Sequence, residues 1–412
     1  MTALAARLTT DALFQPLRLP CGLVLKNRIA KSAMSDSLGD GTGHPTPEQT
    51  RLYNIWAQGG VALAIIGEVQ GSPHFAEKPG NLVLHDRSDL ARFRDLARQG
   101  QENGTQLWLQ LGHAGALAHA PTSTPKGPSA LDLPGLTCEA LTLDEIARLP
   151  AEFARTARLA QKAGFGGVQI HAAHGFLLNQ FLSPLFNRRR DGYGGSVENR
   201  MRLLLETLEA VRAATGPKFP VAVKLNSTDK LEGGFTEADA LEVVRALDGT
   251  TVDLIDLSGG TYFPGAKPAS DSGGRGPYFL RFAGHARQVT TKPLMLTGGV
   301  KTRAHADEIL ASGAADIVGL ARALVLEPAL PDLWKSADMP EPAFPRFTET
   351  PEGGVTAWYT MRLTDLGAGR AEAEFGEMGA AIAAYEARDR SRTDVWLRHF
   401  RDFAPSPRGR EG

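Results

Sequence analysis

The sequence predicts an α/β fold: a (β/α)8 barrel with an N-terminal β-hairpin cap and a C-terminal helical extension. Three observations carry this. Eight short apolar or β-branched runs recur along the 412 residues. Amphipathic stretches of helical period separate several of them. The runs are nearly continuous in apolar character, as strands covered on both faces of a parallel sheet must be. The rival is an open doubly wound sheet, which calls for a G-x-G-x-x-G turn after the first strand. "MSDSLGDGTGH" supplies no such turn in the right place.

Taken in order, "LFQPLRLPCGLVLKNR" reads as two short strands around "LPCG", a hairpin that can plug the N-terminal end of a barrel. Strand one is "NRIAKSAM" (27–34), strand two "VALAII" (61–66) and strand three "TQLWLQL" (105–111). Strand four is "GVQIHA" (167–172), strand five "VAVKLN" (221–226) and strand six "VDLIDLS" (252–258). Strand seven is "PLMLTGG" (293–299) and strand eight "ADIVGLAR" (315–322). Helical period is clear over 144–163, 197–214, 237–247 and 303–312. Thr142 with Glu145 three residues on forms a capping box, and Thr236 and Thr302 are placed to act as N-caps. The pattern divides the chain into a barrel over 1–345 and a helical extension with a tail over 346–412, ending in a frayed "APSPRGREG".

Composition narrows the function. A formal net charge of −1 gives no footing for nucleic acid or an anionic membrane surface. No apolar run approaches the ~20 residues of a transmembrane helix. The start, "MTALAARLTTDALFQPL", lacks a leader's apolar core and reads as mature protein. The two cysteines, Cys21 and Cys138, form no CxxC pattern, which fits a reducing, cytoplasmic setting. The expected partner is a small molecule. A homo-oligomer is left open.

In a barrel the working residues sit where strands end and loops begin. Gly298 and Gly299 after strand seven, with Arg322 after strand eight, have the form of a phosphate cradle: glycine lets the backbone approach an anion and arginine offers a planar fork. The bland alternative is a tight turn beside a surface arginine. Lys224 sits inside "VAVKLN", and alternation puts it on one face with Ala222 and Asn226. A cation facing a barrel lumen needs a ligand anion or a carboxylate such as Glu68. His171 and His174, in "HAAHG", have no carboxylate or cysteine at ligand spacing, so metal is disfavoured. Neutral imidazoles there can instead donate hydrogen bonds to a carbonyl or nitro oxygen, or form a satisfied structural pair.

These residues together resemble the Old Yellow Enzyme family of NAD(P)H:flavin oxidoreductases over roughly 13–328. The resemblance runs through "LFQPLRLPCGLVLKNRI", "QLGHAG", "AGFGGVQIHAAHGFLLNQFLSPLFNRRRDGYGGSVENRMR", "LTGGVKTR" and "GLARAL". It implies one non-covalently bound FMN, NADH or NADPH as reductant, and ping-pong reduction of activated C=C bonds. Position by position, it implies that Ser32, Ala33, Met34 and Ser35 lie along the flavin. Gly67 and Glu68 contact the ring through backbone, and Gln110 meets its pyrimidine edge. Lys224 stands where the family usually has arginine, near flavin N1 and O2. Gly298, Gly299, Ala321 and Arg322 match the phosphate site, and His171 and His174 the pair gripping the substrate's activating oxygen.

Three departures stand out. Phe176 occupies the position of the usual proton-donating tyrosine, and has no proton to give. Ser35 replaces the usual cysteine or threonine, and the extension past Phe347 is long. The substrate pocket would then comprise His171, His174 and Phe176, with Tyr262 in the loop after strand six as first candidate for the missing acid. Tyr193 and water rank behind it. The alternatives are an NADH oxidase or desaturase, and a non-redox phosphate-binding barrel using Lys224.

Overall fold

A computed structural model describes residues 11–263, 266, 276–336 and 341–403. The eight runs form strands β1 (Ile29–Met34), β2 (Leu63–Gln70), β3 (Gln106–Leu111), β4 (Gly167–Ala172), β5 (Val221–Asn226), β6 (Leu254–Ser258), β7 (Leu294–Thr297) and β8 (Ile317–Leu320). Neighbours in sequence pair in parallel, and β1 pairs with both β2 and β8, which closes the barrel. Helices α1 (Pro47–Gln58), α2 (Leu90–Gly100), α3 (Leu143–Lys162), α4 (Val197–Thr215), α5 (Glu237–Asp248), α6 (Leu280–Arg287), α7 (Arg303–Ala311) and α8 (Arg322–Leu326) follow the strands one by one. Each helix turns its apolar stripe onto the outward strand residues, which merge with it in one large core.

Strand alternation sorts the lumen into layers. Ala30, Leu63, Ile65, Trp108, Ala222, Leu254, Met295 and Ile317 form an apolar lower layer. Leu19 and Leu25, flanking and within the hairpin Leu17–Arg18/Val24–Leu25, join this cluster and plug the lower end. Two residues further along five of the strands the same face becomes polar, at Ser32, Gln110, Lys224, Asp256 and Thr297. This switch positions the site, because a closed lumen leaves polar groups few partners other than one another or a ligand.

The caps behave as their chemistry requires. Thr142 and Glu145 exchange side-chain-to-backbone bonds at the start of α3, Thr236 and Asp239 do the same for α5, and Thr302 caps α7. Some bounds differ from expectation. Strand β2 runs on to Gln70, because an irregularity between Ile66 and Val69 lets pairing with β3 resume. Strand β8 stops at Leu320, so Arg322 opens a helix instead of ending a strand. Three short strands, Lys126–Gly127, Leu131–Leu133 and Leu136–Ala140, make a small sheet in the β3–α3 connection.

Residues 346–403 hold α9 (Gly354–Gly367) and α10 (Met378–His399). The tail at 404–412 lies outside the described residues. Helix α10 crosses the loops that follow β1 and β2. Trp396 is 1 % exposed, in a cluster with Ala76, Val83 and Phe400. The Tyr385 phenol meets Lys78 Nζ, and Arg392 donates to the Ser37 carbonyl. Among the described residues, no helix is long and apolar enough to cross a membrane.

Candidate functional site

The polar layer lies at the C-terminal ends of the strands. Lys224 and Asp256 are register partners on β5 and β6, and their side chains form an ion pair at 2.7 Å. The carboxylate partner of Lys224 is therefore Asp256, not Glu68. The Gln169 amide donates to Asp256 at 3.1 Å, and the Gln110 amide donates to Gln169 at 2.7 Å. Thr297 donates to the other Asp256 oxygen at 2.7 Å, and Ser32 lies 2.9 Å from Thr297. Gly319 completes the ring because nothing larger fits: a Cβ there would stand 2.2 Å from Thr297 Oγ1 and 2.5 Å from Ser32 Oγ.

One step above are the histidines. His171 is the penultimate residue of β4, and His174 follows in a left-handed backbone conformation (φ 61°). That conformation is disfavoured for a residue with a Cβ and persists where surroundings over-determine it. Here Asn226 Oδ1 accepts the His174 N–H at 3.1 Å, and Asn179 Oδ1 accepts the Gly175 N–H at 2.7 Å. His171 Nε2 and His174 Nδ1 face each other at 3.4 Å. His171 Nδ1 accepts the Ala173 N–H at 3.3 Å, so the neutral ring carries its proton on Nε2, toward that point of convergence. His174 Nε2 lies 2.9 Å from the Ser258 hydroxyl. Burial pushes the His171 imidazole well below its usual range and that of His174 down to about 3, with the Lys224 charge adding to both. Both rings are thus neutral at pH 7.

Glu68, also in a left-handed conformation (φ 59°), places a carboxyl oxygen 3.5 Å from His171 Nε2. Burial, then the nearby Glu77 charge, raises its pKa well above the ordinary carboxyl value. Phe176 is 2 % exposed and packs edge-on to His171 at 4.8 Å between ring centroids. Tyr262 lies 5.8 Å from the His174 ring and 6.0 Å from that of Phe176. Its backbone is tied down: Thr261 bridges to His174, and the Tyr262 N–H donates to the His174 carbonyl at 3.1 Å. The surrounding protein, then Glu77 and Glu68, push the phenol up to about 12. The side chain is nevertheless 55 % exposed, so water on its open side tempers the first of these effects. Tyr193 stands apart, donating to Glu206 at 3.0 Å.

Gly298 and Gly299 turn the chain after β7 with φ of 131° and 77°, which glycine tolerates. The Gly276–Phe279 segment packs directly on them, so part of the glycine requirement there is close packing. Arg322, at the first position of α8, lies 5.6 Å from the Tyr359 ring, and has no carboxylate in ion-pair reach among the described residues. A flavin mononucleotide asks for an anion clamp at one end and a cation with amide donors and acceptors at the other. Arg322 and Lys224 with Gln110 provide these. Asp256 takes one of the three Lys224 ammonium N–H bonds. The Ser35 hydroxyl is buried without a partner, as a contact awaiting a ligand would be. The residues fit the group.

A separate groove of about 740 Å³ lies between the β2–α2 connection and α3, lined by Phe75, His113, Arg148 and Glu152 among others. None of His171, His174, Lys224 or Arg322 lines it. The sequence reading missed Asp256, Gln169 and Ser258. The signal for Asp256 was present: an acid inside an apolar strand, in step with the Lys224 side of the neighbouring strand.

The chain matches the NADH:flavin oxidoreductase / NADH oxidase family over residues 12–337. It is 36 % identical over 355 residues to the NADH-dependent flavin oxidoreductase iliE of Neonectria sp., covering 77 % of this chain and 46 % of that relative. This chain thus spans less than half of that protein. It is 34 % identical over 408 residues to the NADH-dependent flavin oxidoreductase iccE of Talaromyces variabilis, covering 86 % of this chain and 98 % of the other. Among solved structures, the old yellow enzyme homologue from Zymomonas mobilis superposes with a TM-score of 0.70 at 27 % identity, covering 85 % of this chain and 98 % of that one.

Proposed function

Since the chain belongs to the NADH:flavin oxidoreductase / NADH oxidase family, we propose that it is an FMN-dependent NAD(P)H oxidoreductase of the ene-reductase type. Its substrates are α,β-unsaturated carbonyl or related compounds. Bound FMN supplies two-electron hydride chemistry between a nicotinamide and an activated C=C bond, in ping-pong order. Residues Ser32 to Ser35, Gly67, Glu68, Gln110 and Lys224 would hold its ring, and Gly298, Gly299, Ala321 and Arg322 its phosphate.

The observation that carries the reading is the convergence of His171 Nε2 and His174 Nδ1 beside Tyr262. An oxygen seated between two neutral imidazole N–H groups is held in line, and negative charge developing on it is stabilised by donors already in place. Neutral donors suit this task, since they give up little hydration when the site closes around a ligand. For His174 to donate from Nδ1, its Nε2 must accept, which makes the Ser258 hydroxyl the donor in that bond. The α-carbon still needs a proton. Phe176 has none, and the Tyr262 phenol, anchored through its backbone to His174, stands beside the pair.

The Phe176 substitution favours a second reading, in which the enzyme chiefly oxidises NADH with O₂. Anaerobic assays with NADH and NADPH, with and without cyclohexenone, separate the two. Alkene-dependent nicotinamide oxidation without oxygen is expected. Turnover that requires O₂ and ignores the alkene would select the oxidase reading.

A further inference from the structure

The hydrogen bonds of the polar layer share one direction. Lys224 Nζ donates to Asp256 Oδ2 at 2.7 Å, Gln169 Nε2 donates to the same oxygen at 3.1 Å, and Thr297 donates to Oδ1 at 2.7 Å. With its own proton given to Asp256, the Thr297 hydroxyl accepts from Ser32 at 2.9 Å. The Gln169 amide, turned by the carboxylate, offers Oε1 to Gln110 Nε2 at 2.7 Å. At the outer end of that amide chain Gln110 keeps its carbonyl oxygen, an acceptor, and one N–H. All of these residues are buried, and the Lys224 and Asp256 side chains are 2 % and 0 % exposed.

We propose that Asp256 is a positioning residue that sets the electrostatics of the flavin's pyrimidine edge. It neutralises Lys224 and orients Gln169 and Gln110 so that an acceptor meets the ring N–H. The site would then present FMN with a directional ion pair and not with a net cation. Coulomb interactions are strong in a dry lumen, so charge at this position acts directly on the two-electron equilibrium of the ring. The inference rests on the FMN reading above.

The test is the reduction midpoint potential of the FMN-loaded protein, followed by spectroelectrochemical titration. Asp256→Asn strands a buried cation and should favour reduction at least tenfold, a rise of about 30 mV for a two-electron couple. Lys224→Gln strands the carboxylate and should lower the potential by at least as much. The double variant Lys224→Gln/Asp256→Asn holds no unpaired charge and should stay within a few-fold of the parent. It also keeps the test alive if either single variant fails to fold, since leaving one member of a buried pair uncompensated is strongly destabilising. A double variant lowered tenfold or more would show that Lys224 acts as a net cation, and overturns the proposal while leaving the FMN reading intact. A parent protein that retains no FMN overturns both.

Discussion

Phe176 and Tyr262 are neighbours at the histidine pair. Their rings are 6.0 Å apart, and both face the histidines that would hold a substrate's oxygen. If the acid has moved from one to the other, Tyr262→Phe should slow alkene reduction by ~10²–10⁴-fold, the usual worth of a positioned acid. Phe176→Tyr in that background should restore much of the rate. Unchanged single-turnover rates in Tyr262→Phe would remove the phenol from the reaction. His174→Ala should cost on the order of 2–4 kcal/mol in the barrier, as loss of one preorganised donor does. His171, His174 and Phe176 stand out in the sequence because they sit in a long family-specific block, while Tyr262 lies outside it, in the loop after strand six. Asp256 stood out only as an acid inside an apolar strand, and its role as the partner of Lys224 depends on which strand lies beside it, which the pairing reveals.

Elements were legible to the extent that their signals are local. Thr142 and Glu145 announced the start of α3, and the capping box is present. Thr142→Ala should cost ~1 kcal/mol by urea denaturation, since it leaves a helix N–H unmet. Helices α1, α2 and α6 were passed over, although Thr46 before Pro47 and Asp89 before Leu90 are caps that a closer reading could use. Helix α6 has no side-chain cap at all, and its eight residues hold their shape through packing of Phe282, Ala283 and Ala286. The docking of α10 was invisible for the same reason, because it depends on Trp396 finding Ala76 and Val83 more than 300 positions away. Trp396→Ala should destabilise the protein by ~3–5 kcal/mol, read as a fall in the urea midpoint. An unchanged midpoint would mean that the helix adds little to the barrel.

At the scale of the molecule, the buried imidazoles set the response to acid. Burial lowers His113 and His174 to about 3, against 6.5 in an unfolded chain. The unfolded state then binds more protons between those values, so the stability these groups contribute is present above pH 6.5 and lost as pH falls toward 3. His113 alone should cost about 2 kcal/mol between pH 7 and pH 5. Glu68 works the other way. Its raised value means that its contribution is complete below the ordinary carboxyl pKa of 4.5 and fades as pH rises. His44, His85, His119 and His171 are lowered too, and Glu77, Glu152 and Asp229 are raised, so six imidazoles oppose four carboxyls among the described residues, and net stability should fall on acidification. Thermal unfolding at pH 7 and pH 5 checks the sign.

Helix α10 is made after all eight strands, yet it fastens the loops that follow the first two. During synthesis all eight strands therefore leave the ribosome before the helix that fastens these loops. A chain arrested before Met378 would retain every residue proposed to hold the flavin and lack the clasp over the loops at 37–44 and 76–83. Completion of α10, and not of the sheet, is then the event that fastens these loops.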